Sequence, residues 1–265
     1  MAPDPTPPSA DDERHAPPEP VRRFREAYRA EFIGPRYSGP AHFAFVTLAA
    51  LSGIAYALGG VRAPTPAELA TVPLTFVFAN LAEYGGHRHP MHRPWRGLGL
   101  VYRRHARQHH HFYTHDAMAL ESSRDVQMVL FPPVLLVFFA LAFVLPAGTL
   151  VYLFASPNAA RLFAATAVGY YLLYEWLHLA YHLPPGSFVA RLSLVRALRA
   201  LHTAHHDLGL MGKYNFNITF PIGDWLFGTR HRGRAASPAA AASAGARADA
   251  EAAPEGARAD AARAP

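Results

Sequence analysis

The residues of this chain best suited to chemistry are its histidines. The stretch from His87 to His115 reads HRHPMHRPWRGLGLVYRRHARQHHHFYTH. A second run answers it at His178-Leu-Ala-Tyr-His182 and His202-Thr-Ala-His205-His206. A neutral imidazole offers one nitrogen lone pair and is the commonest side-chain metal ligand. The ring is a mediocre core residue and carries no steady charge at neutral pH, so clusters this dense point to metal. Residues four apart share a helical face. By that rule His105 with His109, His178 with His182, and His202 with His206 can each grip one ion from a single helix, and His205 joins the face of His202. His110 follows His109 directly and points about 100° away, toward a second ion, and the same holds for His205 and His206. A closed site takes about four ligands, fewer than half of those on offer, which suits two metals side by side. His87 and His92 are five apart, about 140° on a regular helix, so they require a helix end or a distorted turn. All-nitrogen ligation fits Fe, Zn, Cu or Ni, and the residues do not choose among them. The absence of a nearby Ser or Cys nucleophile favours redox chemistry over hydrolysis.

Both runs must be brought together, and the elements available for this are apolar. The chain has 265 residues, 51% hydrophobic and 17% charged, which is apolar for a soluble protein of this length. Four apolar spans are expected: residues 41–60, 69–84, 126–155 and 161–183. The first is close to the ~20 residues needed to cross ~30 Å of hydrocarbon. The second is shorter and carries Asn80 and Glu83 near its end. Pro132-Pro133 should break or kink the start of the third. Pro184-Pro185-Gly186 stops the fourth. The net charge is +6 and the pI about 9.8, but the arginines flank the spans, where they act as topology signals. The first histidine loop holds Arg88, Arg93, Arg96, Arg103, Arg104, Arg107 and Arg124, and the second holds Arg191, Arg196, Arg199 and Lys213. The opposite side keeps only Arg62 and Arg161. This bias places both histidine clusters and the N-terminus in the cytoplasm. A nucleic-acid partner would rest on net charge alone and is not expected. With no cysteine, disulfides, thiolate metal sites and iron–sulfur clusters are excluded.

The expected architecture is an all-α, multi-span helical membrane protein of about four transmembrane helices with a cytoplasmic, histidine-rich di-metal cap. Residues 1–20, rich in Pro, Asp and Glu, read as a disordered arm without a secretory signal. Residues 21–229 form the membrane-embedded domain, and the Ala-rich stretch 230–265 reads as a disordered tail. Within the domain, residues 21–30 form a short basic helix, lying at a membrane surface or simply solvated.

The order HRHPMH, HARQHH, HLAYH, HTAHH resembles the fatty acid hydroxylase and sterol desaturase superfamily of membrane proteins. VLFPP after the second box and NITFPIGDWLFGT after the last strengthen the likeness, which covers residues 77–229. The resemblance implies two irons with O2 as co-substrate. Matched position by position, it implies His87 and His92 in the first box and His105, His109 and His110 in the second. His178 and His182 match an intermediate pair, and His202, His205 and His206 the last box. The second box has three intervening residues where fatty acid 2-hydroxylases usually have two, so the substrate class stays open. No fused cytochrome b5-like domain precedes the first span, so the electrons are expected from a separate protein, cytochrome b5-like or a ferredoxin with its reductase. The implied activity is O2-dependent hydroxylation or desaturation of a fatty acyl, sphingolipid or sterol-like lipid. A carotenoid hydroxylase shares the histidine-box logic, and a non-enzymatic membrane metal-binding or transport protein is the alternative of a different class.

The remaining polar residues read as follows. His89 is an alternative to His87, while His111 and His115 are outer or exposed, and His42 and His231 are bystanders. Ligating imidazoles usually donate their second ring N–H to a carboxylate or carbonyl. Glu175 and Asp207 are the expected carboxylates, ahead of Glu83, Asp116, Glu121 and Asp224, with surface or loop-capping roles as the alternative. Asn215 either bonds a ligand or caps a turn.

Overall fold

The computed structural model describes residues 17–231, which form helices and loops with no strand among them. The arm and tail expected over 1–20 and 230–265 fall outside the described residues except at 17–20 and 230–231. The first helix, α1, Glu19–Phe32, begins within the expected arm, with Pro20 in its first turn. Its buried face is Val21, Arg25 and Tyr28, and it docks on protein: Arg25 donates to Phe112 O at 2.7 Å and Ala117 O at 2.5 Å, and pairs with Glu121 at 2.7 Å. The guanidinium is buried and its partners are spread over residues 112–121, so this arginine pins the segment that follows the second histidine box.

Five helices make the apolar body: α2 Gly39–Gly59, α3 Thr71–Gly86, α4 Pro133–Phe139, α5 Leu145–Phe154 and α6 Pro157–His182. Ser38 caps α2 by accepting from Ala41 N, and Ser156 caps α6 by accepting from Ala159 N at 3.1 Å, each satisfying an orphan donor of a first turn. The third apolar span starts as expected from its prolines. Leu130 and Pro132 are extended, and Pro133 opens α4, where its missing N–H costs nothing. A π-helical turn, Ala140–Val144, joins α4 to α5. α6 is the central helix and packs against α2, α3 and α5.

Two regions are long and apolar enough to cross a membrane: Gly39–Gly59, and the stretch Ser123–Phe154 that contains α4 and α5. Phe45, Leu48, Val134, Phe138, Leu141 and Phe143 stand exposed on them. The other two expected spans differ. α3 has 16 residues, short of the ~20 that span hydrocarbon. α6 is long but carries Tyr170, Tyr171, Tyr174, Glu175, His178 and His182, all buried inside the protein.

The turn before α3 is tied to the turn before α6. Asn158 exchanges bonds with Arg62 N and O at 3.0 and 2.7 Å, and Ser156 Oγ donates to Glu68 at 2.5 Å. The opposite end, where α3 and α6 finish, carries the cap: the histidine segments, α7 Ser193–His205, and a closing loop from 214 to 231. Asn80 and Glu83 on α3 hold this loop. Asn80 donates to Phe220 O at 2.8 Å and accepts from Gly223 N at 3.2 Å, and Glu83 accepts from Thr219 N at 3.1 Å and from Ile218 N. A Cβ on Gly223 would lie 2.7 Å from Tyr84 Cβ, so only glycine lets the loop come this close to α3. Gly228, at φ +66°, turns the chain back so that Thr229 N reaches Asp224 O at 2.9 Å.

Candidate metal centre

Four segments carry the histidines to one place. α3 continues into a π-helical turn, His87–Met91, and a second π-helical turn runs Arg103–His109. π-helical bonding runs from i to i+5, which brings His92 over His87 and His110 over His105. The distorted turn required by the five-residue spacing of the first box is therefore a π turn. α6 and α7 stay α-helical to their ends, so His178 with His182 and His202 with His206 meet at i,i+4.

The ten histidines form two groups: His87, His92, His105, His110 and His205, and His109, His178, His182, His202 and His206. Within each group the ligand nitrogens all lie within 4.8 Å of one another. The pairing expected from spacing alone does not hold for the second box. His105 and His109 do not share an ion-sized space; His105 shares one with His110, because a π turn moves the common face from i+4 to i+5. His205 likewise leaves the face of His202 and joins the first group. The groups are neighbours, since the His110 and His206 rings stack at 4.3 Å.

The Nε2 atoms converge closely. In the first group they are 2.7 Å apart for His87–His105, 3.0 Å for His92–His205 and 3.1 Å for His105–His110. In the second they are 3.2 Å apart for His109–His178 and His182–His202, and 3.0 Å for His202–His206. Two nitrogens bound at right angles at ~2.0–2.1 Å from one ion would be about 2.9 Å apart. Hydrogen bonds among the rings do not explain this convergence. His87 and His205 donate from Nδ1 to Phe216 O and Tyr214 O. His109, His182 and His206 donate from Nδ1 to Met128 O, Met118 O and Tyr113 O. A carbonyl only accepts, so these five neutral rings have a bare lone pair at Nε2. The other five rings have at most one proton each for eight short Nε2–Nε2 contacts. Inward lone pairs in excess of donors are what a cation between them satisfies, so the donor set fits two metal ions.

Electrostatics agree. Burial, reinforced by neighbouring imidazoles, pushes His87, His92, His105, His109, His110, His202 and His206 well below the ordinary imidazole range. Burial lowers His205 to about 4. The rings are thus held neutral, the form that binds metal.

The outer partners differ from those expected. Among the described residues, the ring N–H groups of His87, His109, His182, His205 and His206 go to backbone carbonyls, and no ring of either group bonds a carboxylate. Glu175 instead accepts from Phe131 N at 3.2 Å, and Asp207 caps the next turn by accepting from Gly209 N at 2.8 Å. Asn215, in the left-handed region at φ 56°, clips the closing loop: its side chain bonds Leu201 O and both backbone groups of His231. His89 packs beside Trp95 with ring centroids 6.1 Å apart, outside both groups. His111 lies against Phe24 and His115 lines a separate cleft. His42 is buried between Tyr37 Oη and Phe131 O. The carbonyl acceptors had no signal in the sequence, because every residue type carries one.

A family model described as fatty acid hydroxylase matches residues 72–229. This chain belongs to the fatty acid hydroxylase family. The match takes in both histidine groups, the two π turns and the closing loop as far as Thr229. Membership and the two buried nitrogen groups together fit an oxidoreductase. Comparison with curated proteins and with solved structures gives no match.

Proposed function

We propose that this chain is a membrane di-iron oxidoreductase that uses O2 to hydroxylate or desaturate a lipid, with a fatty acyl, sphingolipid or sterol-like chain as substrate. The observation that carries the reading is the pair of adjacent, buried groups of five imidazole nitrogens. His87, His92, His105, His110 and His205 would hold one iron, and His109, His178, His182, His202 and His206 the other. Bound iron would supply the reductive activation of O2 and the oxidising power to take hydrogen from an unactivated carbon. The protein's part is to fix the rings, through the carbonyls of Tyr113, Met118, Met128, Tyr214 and Phe216, and to keep water away. Hydroxylation of a C–H bond by O2 consumes two electrons and two protons and leaves one water, so a separate electron-donor protein, cytochrome b5-like or a ferredoxin with its reductase, completes the reaction.

The apolar residues exposed on α2, α4 and α5 support integral membrane insertion, since soluble proteins rarely leave so large an apolar surface open. The arginine bias supports a cytoplasmic cap. Cysteines introduced at Gly97 or Ser193 should be labelled only by reagents that cross the membrane. Labelling in intact cells by an impermeant maleimide would reverse the orientation.

The deciding experiment measures iron per chain by elemental analysis and compares lipid profiles of cells with and without the gene. Two irons and an oxidised lipid that disappears with the gene are expected. A purified protein that oxidises its lipid without iron would sink the reading.

A further inference from the structure

The closing loop gives no histidine to either group, yet it holds two rings of the first. His87 donates from Nδ1 to Phe216 O, and His205 donates to Tyr214 O at 2.8 Å. The carbonyl that meets His87 belongs to the same peptide unit as the N–H of Asn217. That N–H donates to Asp224 Oδ2 at 2.9 Å. Asp224 Oδ1 accepts from Phe216 N at 2.9 Å and from Thr229 Oγ1 at 2.7 Å. Thr229 O in turn accepts from Asn215 N at 2.9 Å, which shares its peptide with the carbonyl that holds His205. Asp224 is 1% exposed. Both carbonyls serving the first group are therefore braced by one buried carboxylate.

We infer that Asp224 is a positioning residue for the first metal group, acting on His87 through the Phe216–Asn217 peptide; the inference rests on the metal-binding reading of the histidines. A peptide whose N–H binds a carboxylate carries more negative charge on its oxygen, because hydrogen bonds in a chain polarise one another. That oxygen holds the Nδ1–H of His87 more firmly, orients the ring and raises the basicity of Nε2. The chain runs carboxylate, peptide, imidazole, with the peptide standing where a carboxylate would otherwise touch the ring. The second group has no such brace. Its carbonyls belong to Tyr113, Met118 and Met128, and among the described residues no carboxylate meets the N–H of those three peptides. Asp224 should therefore tune one metal and leave the other alone, which general loop support would not do.

The test uses the full chain in detergent, stripped of metal and titrated anaerobically with Fe(II), and separately with Co(II) followed by visible absorption. Wild-type protein should take up two ions. His205→Ala and His109→Ala identify the Co(II) signals of the first and second groups. Asp224→Asn keeps the side-chain volume and removes the charge. It should weaken the ion whose signal His205→Ala removes by about 10–100-fold, and leave the signal removed by His109→Ala unchanged. Asp207→Asn, which alters a turn cap beside His206, should leave both ions bound. Two ions at wild-type affinity in Asp224→Asn, or equal weakening of both, would overturn the inference. If Asp224→Asn does not fold, Asp224→Glu keeps the charge but displaces the carboxylate from the Asn217 N–H and should weaken the first ion alone; unchanged binding there overturns the inference equally. Uptake of fewer than two ions by wild-type protein, seen before any variant is made, would remove the two-metal reading itself.

Discussion

The two histidine groups are built by different means. The second takes His178 with His182 from α6 and His202 with His206 from α7 and its C-cap, two regular i,i+4 pairs, and adds only His109 from the end of the second π turn. All five are buried. The first takes its paired histidines from π turns, His87 with His92 and His105 with His110, and completes the set with His205. His92 is its one half-buried member, and its carbonyl supports come from a loop closed by Gly223, Asp224 and Gly228. A regular helix has its own backbone bonds to keep two rings aligned, whereas a π turn is rare and needs tertiary contacts to persist. The second group is thus carried by secondary structure, and the first depends on the cap being assembled around it.

The largest effect that tests this contrast comes from removing one ligand of each group. His109→Ala and His205→Ala should each abolish lipid oxidation and each cost one ion, the second and the first respectively. Loss of an outer partner alone costs ~10–100-fold in affinity or activity, so loss of a ligand should cost at least that. Elemental analysis beside a lipid assay reads both, and near-wild-type iron and activity in the two variants would remove the two-group description.

A sharper effect separates a π turn from an α turn. His110→Ala should weaken the same ion as His105→Ala, whereas an α-helical second box would couple His105 to His109. Co(II) absorption of the three variants decides between these pairings.

A smaller effect concerns the metal-free protein. The rings of the cap have folded-state pKa values below their ordinary value, down to about 4 for His205. The unfolded chain therefore binds more protons than the folded one below pH ~6.5, so stability rises with pH there. The neutral-ring contribution should be complete above about pH 6.5 and lost progressively as pH falls toward 4. Melting temperatures of stripped protein at pH 8 and pH 5 measure it, and a Tm higher at pH 5 would contradict the sign. The smallest effect is expected from His115→Ala. This residue lies in neither group, so iron content and lipid oxidation should stay close to wild type; loss of one ion would bring His115 into the centre.

Much of this was legible in the residues. The histidines that converge in space are the ten that the boxes single out, because such a convergence needs a particular side chain and side chains are what a sequence spells. The break at Pro132-Pro133 was legible because a missing N–H and a fixed φ act locally. The five-residue gap in the first box announced a distorted turn. The same gap between His105 and His110 was obscured by His109, which offered an ordinary i+4 partner. Asn80 and Glu83 looked out of place in an apolar span, and their reason was hidden in the loop at 217–223 that they bond.

By itself the sequence determined which atoms can bind metal, which segments are apolar and roughly where helices start and stop, since all of these follow from side-chain chemistry and local backbone preference. Only the tertiary structure decided which histidine belongs to which group and what holds each ring. The first depends on backbone hydrogen-bond register, where a shift from i+4 to i+5 moves a side chain to another face. The second depends on carbonyl oxygens that every residue has alike, such as that of Phe216, which meets His87 across 129 positions of chain.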